Sequence, residues 1–403
     1  MNNNNESQIQ EQVGLKIREL RKSARISTVD LSGEAGISQG QLSKIENGKA
    51  TISIKVLSLL CEVFNRPISY LFQKEEEIPQ VLGTLVSEPG PEKQGIQRFA
   101  SEVNRISKNR ISLIPLWTSQ LGQAANHSGA VTNHSGVLPN QVEYLQQGLI
   151  DLFIDDLSMF NSFVTDFNIF ALPYVFSDID HLMRFLNGDY FNERLRQPLL
   201  NAGIRLINPS WNWLRGIERV LVSKEPIFSP DDIKGKNVRV HDCPALIKYW
   251  EDMGANPVFV PWAEVKQALE QGIIDVIPSY TPNLFPLKFC DTAKYITRIG
   301  GIPSVLGIAM NEVKYQLFSP TLQSALGTAS QKAGNYFSTL VQETVQPDEA
   351  SNIEHFQANY LKVNVKPWKA KLEKTIEALI KEKVISKDLW REVKRLDAES
   401  SEP

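Results

Sequence analysis

Between Ile37 and Lys49 the chain sets Gln39, Gln41, Ser43 and Lys44 on one side of a short helical stretch and Leu42 and Ile45 on another. Ser38 precedes the stretch as an N-cap, and Gly48 can end it in a left-handed conformation. Such a helix displays amides, a hydroxyl and an ammonium. Amides pair with adenine edges and lysine with guanine or phosphate, so the chemistry suits the major groove of DNA. A second group of reactive types lies much further along. Asn237-Val238-Arg239-Val240 reads as a buried strand carrying an arginine, with Pro261-Trp262 following a second short strand. A buried guanidinium is costly unless paired. Its planar fork fits either an internal carboxylate, Asp155 or Asp156, or the carboxylate of a bound molecule; composition alone leaves the two equal.

The first group needs a small helical scaffold. Val13, Ile17, Leu20 and Ala24 recur at helical spacing, as do Leu57, Leu60, Cys61 and Phe64. Ser27 can cap a helix bearing Leu31 and Ala35, and Gly36 supplies a turn. About five helices over residues 13–72 are expected, an all-α helix-turn-helix head. Between Val13 and Lys55, Lys16, Arg18, Arg21, Lys22, Arg25, Lys44, Lys49 and Lys55 outnumber Glu19, Asp30, Glu34 and Glu46 by four charges. The excess suits a phosphate backbone. It resembles the Xre/phage-repressor helix-turn-helix family through Ile17-Arg18-Glu19-Leu20-Arg21, Leu31…Ala35-Gly36-Ile37-Ser38, Leu42–Lys49 and Leu57…Leu60. The resemblance implies base reading by Gln39 and Gln41, help from Ser43 and Lys44, phosphate contacts from Asn47 and Lys49, and a homodimer on two half-sites. Thr28-Val29-Asp30 departs from the family's usual start of the second helix.

Residues 1–12 read as a disordered arm, 73–80 as a charged, proline-bearing linker, and 397–403 as a disordered tail. From residue 81 to 396, strand and helix signals alternate. Strands are expected near residues 81–86, 111–117, 152–154, 204–207, 217–222, 238–240, 257–260 and 304–310, in α/β layers with a largely parallel sheet. Leu145-Gln146-Gln147-Gly148-Leu149-Ile150-Asp151 is echoed by Leu269-Glu270-Gln271-Gly272-Ile273-Ile274-Asp275. Each reads as a helix, a capping glycine and a buried strand, so two similar lobes are expected.

The second region resembles the solute-binding proteins of TRAP transporters, the DctP type. The carrying residues include Gln120-Leu121-Gly122, Phe170-Ala171-Leu172-Pro173-Tyr174-Val175-Phe176, Ser229–Lys236, Arg239-Val240, Gly254-Ala255-Asn256-Pro257 and Glu264–Gly272 with Asp275. The resemblance implies a two-lobed, periplasmic-binding-protein-like α/β domain closing on an organic acid, with Arg239 on its carboxylate and Trp262 over it. Departures include Gly216-Ile217-Glu218-Arg219, where a pocket arginine often directly follows, Asp242 and Pro278-Ser279-Tyr280. Asp156, Glu218 and Asp242, with Trp211, Trp213, Trp262 and Ser279, form the remaining expected pocket, suited to a small organic acid or a zwitterion.

The 403 residues carry a net charge of −3 and no apolar run long enough to span a membrane. Cys61, Cys243 and Cys290 are too sparse for a disulfide framework, and the start lacks a secretory pattern, so a cytoplasmic protein is expected. No GxSxG, HExxH, phosphate-binding or GxGxxG motif occurs, so neither catalysis nor a cofactor is expected. The doubled Asn-His-Ser-Gly at 126–129 and 133–136 reads as a polar insertion rather than a metal site. The expected function is a ligand-sensing transcription regulator. The alternatives are a binding domain kept for dimerisation and a transporter's solute receptor.

Overall fold

The computed structural model describes residues 2–24, 26–64, 66, 68–72, 78–84, 90–116, 141–216, 218–301 and 303–399. Gln120-Leu121-Gly122 and both Asn-His-Ser-Gly copies lie outside them.

Five helices make the head: α1 (Asn2–Ser23), α2 (Thr28–Glu34), α3 (Gln39–Glu46), α4 (Ile54–Val63) and α5 (Ser69–Phe72). Ser27, Ser38 and Ser53 each accept a first-turn amide, from Asp30, Gln41 and Val56. Gly48 ends the α3 turn at φ +66°. Leu42 and Ile45 of α3 pack with Ile17, Leu20, Leu31, Leu57 and Leu60 in one core. Gly14 permits close approach of α1 to α3, since a Cβ there would stand 2.2 Å from the Ile45 carbonyl oxygen. The helix beginning at Asn2 corrects the expected arm; Glu6, Gln8, Gln10, Glu11 and Gln12 are good helix formers that extend α1 backward from Val13, whereas the propensity of Asn2–Asn5 does not account for the first turn.

The larger domain has two mixed sheets. In lobe one, β1 (Ile78–Thr84), β2 (Ile111–Leu116), β3 (Leu152–Asp156), β4 (Ile204–Leu206) and β11 (Ser304–Asn311) lie in the order β2-β1-β3-β11-β4, with β5 (Leu214–Gly216) also on β11. In lobe two, β6 (Arg219–Ser223), β7 (Asn237–Val240), β8 (Asn256–Phe259), β9 (Val276–Tyr280), β10 (Tyr295–Arg298) and β12 (Asn359–Lys362) lie in the order β12-β10-β6-β9-β7-β8. The expectation of a largely parallel sheet is corrected. β11 runs antiparallel to β3 and β4, and β6 antiparallel to β9 and β10, because each enters its sheet from the other lobe. β1 starts at Ile78, so residues 78–80 of the expected linker belong to the sheet.

Both echoed segments take the expected form. α7 (Gln141–Gln146) leads through Gly148 (φ +73°) into β3, and α10 (Val265–Glu270) through Gly272 (φ +74°) into β9. Lobe one is completed by α6 (Pro91–Ile106), α8 (Ile179–Asn187) and α11 (Glu312–Leu317), lobe two by α9 (Pro244–Asp252). The chain passes between lobes from β5 to β6, back from β10 to β11, and again along α12, a 37-residue helix (Pro320–Phe356). α13 (Lys366–Lys381) then packs on α9, where the Thr375 hydroxyl donates to Asp252 at 2.8 Å. α14 (Lys387–Glu399) returns to lobe one, so residues 397–399 of the expected tail are helical.

Candidate functional site: an inter-lobe cleft and an exposed helix

The carboxyl ends of β3, β7 and β9 meet at the junction of the lobes, where open α/β sheets place their ligands. They border a cavity of about 90 Å³. Glu92, Asp155, Asp156, Met159 and Arg215 line it from lobe one. Arg219, Arg239, His241, Trp262, Ser279, Tyr280 and Asn283 line it from lobe two.

Arg239 is anchored from two sides. Its Nε donates to the Val260 carbonyl at 3.0 Å, and its guanidinium lies 5.0 Å from the Trp262 ring centre. Trp262 is held in turn edge-on against Phe289. Arg239 lines the cavity, its Nη groups make no hydrogen bond among the described residues, and no carboxylate among them forms an ion pair with it. The two internal candidates are occupied elsewhere. Asp155 pairs with Arg215 at 2.8 Å, while Asp156 accepts the Ser158 amide at 2.9 Å and the Ser304 hydroxyl at 2.9 Å. Burial lowers the Arg239 pKa to about 10, with Asp155 opposing and Arg219 adding to the fall. The group stays charged at neutral pH and is short of a counter-anion.

Arg219 opens β6 directly opposite Tyr280 of β9 in the register, which brings its Nη2 to the Tyr280 hydroxyl at 2.8 Å. It is 7% exposed, and its Nε has no hydrogen-bond partner. Arg215 lies on β5 and belongs to lobe one. Its Nε is 2.7 Å from Glu92 and its Nη2 2.8 Å from Asp155. Burial opposes the Arg215 charge, but Glu92, Asp155 and Asp156 outweigh it and hold the guanidinium above its ordinary range. Burial pushes the Glu92 and Asp155 carboxyls up, against the pull of Arg215. His241 sits 3.3 Å from the Ser158 hydroxyl. Burial, then Arg239, lowers it to about 3, so its ring is neutral.

Of the residues expected in the pocket, Arg239, Trp262, Asp156 and Ser279 come together in the cleft. Four expectations are corrected. Trp213 is 0% exposed in the lobe-one core, edge-on to Phe99, with its indole N–H on the Ser330 carbonyl at 3.0 Å. Glu218 turns outward to Arg298, which also binds Glu349. Asp242 is exposed, and only its backbone carbonyl joins the local network, accepting from Asn161. Trp211 is likewise core, donating to the Leu186 carbonyl. Residues not expected there are Glu92, Asp155, Arg215, Arg219, Tyr280 and Asn283. His241 was legible: the two-residue period of β7 puts it on the face of Arg239 and puts Asp242 on the other.

On the head, Gln39, Gln41, Ser43, Lys44, Asn47 and Lys49 are all exposed. The Gln39 amide donates to the Thr28 hydroxyl at 3.0 Å, which ties α3 to the start of α2. Asn47 is committed at both ends of its amide, donating to the Ser43 carbonyl at 2.7 Å and accepting from Arg18. Arg21 grips the buried Glu46 with two bonds, of 2.6 and 2.9 Å. The head is seated on lobe one. Arg66 donates to the Gln316 carbonyl at 3.2 Å and the Gln323 side chain at 3.3 Å, with its guanidinium 5.4 Å from the Tyr70 ring centre.

The helix-turn-helix family model matches residues 17–71, and the model for bacterial extracellular solute-binding proteins, family 7, matches residues 82–387. A 2,3-diketo-L-gulonate-binding periplasmic protein of Escherichia coli is 30% identical over 199 residues, 49% of this chain and 60% of that protein. The match thus spans about three-fifths of that relative's length. A TRAP periplasmic solute-binding protein from Ochrobacterium anthropi with bound L-fuconate superposes with a TM-score of 0.69 at 24% identity, covering 79% of this chain and 99% of the other. One from Roseobacter denitrificans with bound β-D-glucuronate gives 0.68 at 19%, covering 78% and 99%. Two lobes closing on an arginine-bearing cleft and a family match over most of the chain agree: the protein belongs to the bacterial extracellular solute-binding protein family 7, with a helix-turn-helix domain ahead of the binding domain.

Proposed function

We propose that this chain is a cytoplasmic, one-component transcription regulator of the Xre type, whose binding domain senses a small carboxylate-bearing metabolite. One observation carries the reading. A single chain holds an exposed α3 face of Gln39, Gln41, Ser43 and Lys44 together with a cleft whose Arg239 lacks a counter-anion, and Arg66 fastens the one domain to the other. Gln39 and Gln41 read bases, Ser43 and Lys44 assist, and Lys49 meets phosphate. Asn47 acts through Arg18, which it holds toward the same surface. In the cleft, Arg239 takes the carboxylate through its two Nη groups, Trp262 backs it, and Ser279 and Asp156 supply hydrogen-bonding partners. A homodimer on two half-sites follows from the way such heads bind DNA.

The test is to sequence the DNA fragments that the purified full chain retains from fragmented genomic DNA. Operator affinity is then measured with and without small organic acids. Sequence-selective retention and an acid-dependent affinity support the reading, and an affinity unchanged by every acid that binds would refute the sensing role. The periplasmic relatives favour a second reading, a transporter's solute receptor. Recovery of the intact chain in the periplasmic fraction, with no selective DNA retention, would establish that one instead.

A further inference from the structure

The two walls of the cleft carry opposite charge. Lobe one presents Glu92, Asp155 and Asp156 against a single cation, Arg215. Lobe two presents Arg219 and Arg239 with no carboxylate, and its histidine is neutral. No ion pair among the described residues joins the walls: Arg215 binds Glu92 and Asp155 within lobe one, and Arg219 is bonded only to the Tyr280 hydroxyl. The Tyr280 ring stands between the two sets, 5.6 Å from the Arg215 guanidinium and 5.0 Å from that of Arg219. The acidic wall is short of positive charge: three carboxylates face one arginine, and the hydrogen bonds that Asp156 accepts from the Ser158 amide and the Ser304 hydroxyl bring no cation.

Two buried polar groups mark where an occupant belongs. The Arg219 Nε and the Ser279 hydroxyl both lie in the lining without a partner, in residues 7% and 2% exposed. Buried polar groups are normally satisfied, so these two await a ligand. A simple monocarboxylate would satisfy the arginine wall and lay its hydrocarbon end against Glu92, Asp155 and Asp156. A dicarboxylate would set a second anion there, beside Glu92 and Asp155, where burial already penalises negative charge. A protonated nitrogen instead gives that wall the counter-charge it lacks.

Building on the carboxylate-sensing reading above, we propose that the ligand is a zwitterion. Its carboxylate lies on Arg219 and Arg239, and its ammonium lies toward Glu92, Asp155 and Asp156, with Glu92 as the residue that selects the cationic end.

The experiment is isothermal titration of the full chain with three four-carbon probes: 4-aminobutanoate, butanoate and succinate. The Glu92→Gln variant follows, with its melting temperature as a folding control. Expected is binding of 4-aminobutanoate at least tenfold tighter than either other probe. In Glu92→Gln that preference falls toward unity while butanoate binding holds or improves. Succinate or butanoate binding as tightly as 4-aminobutanoate overturns the zwitterion and leaves carboxylate sensing standing. Binding of none of the three, nor of hydroxylated acids such as fuconate, overturns both. Tight binding of fuconate with 4-aminobutanoate silent overturns the ammonium alone, giving the acidic wall to hydroxyl donors. Should Glu92→Gln fail to fold, the ranking of the three probes on the parent chain decides the matter.

Discussion

Replacing Arg239 with lysine keeps a cation on β7 and removes the fork. In the parent, the bond from Nε to the Val260 carbonyl and the stack on Trp262 fix the guanidinium plane and leave two Nη groups for an anion. A lysine brings one ammonium on a flexible stem, with neither anchor. Losing one charge-assisted bond costs about 1.5–3 kcal/mol, which is roughly 10-fold to 150-fold in Kd. A second effect has a definite sign. Burial holds Arg239 at about 10, well above neutrality. An ammonium starts roughly two units below a guanidinium, so the same burial brings a lysine there close to neutrality. A cation with a lowered pKa loses its charge as pH rises, and with it the anion. Affinity in Arg239→Lys should therefore fall further from pH 7 to pH 9, while the parent changes little. The assay is titration calorimetry at pH 7, 8 and 9 with the tightest-binding acid of the panel. Operator affinity without ligand serves as the control, and it should stay within about twofold of the parent's because the substitution is remote from α3. A variant that binds as tightly as the parent refutes the bidentate grip. A loss that is the same at all three pH values refutes the electrostatic argument.

The remaining expectations concern the head, the joint and the core. Gln39→Ala should cost about 1–3 kcal/mol on the selected operator and little on random DNA; equal losses on both, in a gel-shift titration, would remove Gln39 from base reading. Arg66→Ala removes the two bonds that this side chain makes to lobe one. It should reduce the ligand–operator coupling, typically about 1–3 kcal/mol, while each affinity measured alone changes less. Identical coupling in parent and variant would show that the joint transmits nothing. Trp213→Ala should cost about 3–5 kcal/mol of stability in urea unfolding and leave ligand affinity intact once folded. A selective loss of binding would return Trp213 to the pocket.

The head was legible almost residue by residue because its signals are local. Ser38 caps, Gly48 stops, and Leu42 and Ile45 point inward, all within one turn or two of sequence. The two-lobed architecture was legible for a similar reason: the echoed helix-glycine-strand units build equivalent strands, β3 and β9, which both end at the cleft. The cleft itself was legible only in part. Arg239 stood out as a charge inside an apolar strand. Glu92 meets Arg215 only through the fold, and Arg219 meets Tyr280 only through strand register, which no short window of sequence displays. Trp213, Glu218 and Asp242 were drawn in by nearness in sequence to pocket residues. Nearness fails where the chain crosses between lobes, because neighbours there belong to different walls: Arg215 faces Glu92 in lobe one, Glu218 turns to Arg298, and Arg219 returns to the cleft.

That crossing also bears on how occupancy would reach the head. α12 begins where Arg66 holds Gln323 and ends where His355 stacks on Phe285 of lobe two. Near that end Arg298 of β10 binds Glu349 of α12 and Glu218, which immediately precedes β6, together. A change in the angle between lobes therefore reaches α12, one of the crossings and the one whose opposite end abuts the head. A ligand shifts such an angle only through a difference in its affinity for the open and closed arrangements. An anion held by Arg239 and Arg219 touches lobe two alone and binds both arrangements with nearly equal strength. The difference must come from groups that reach a ligand only when lobe one closes over it, and these are Glu92, Asp155 and Asp156. On the regulator reading proposed above, the end of the ligand opposite its carboxylate would then decide whether binding is felt at α3. Affinity and response should accordingly separate: substitutions at Arg239 weaken binding, whereas substitutions at Glu92 leave a chain that binds a simple acid and does not respond to it.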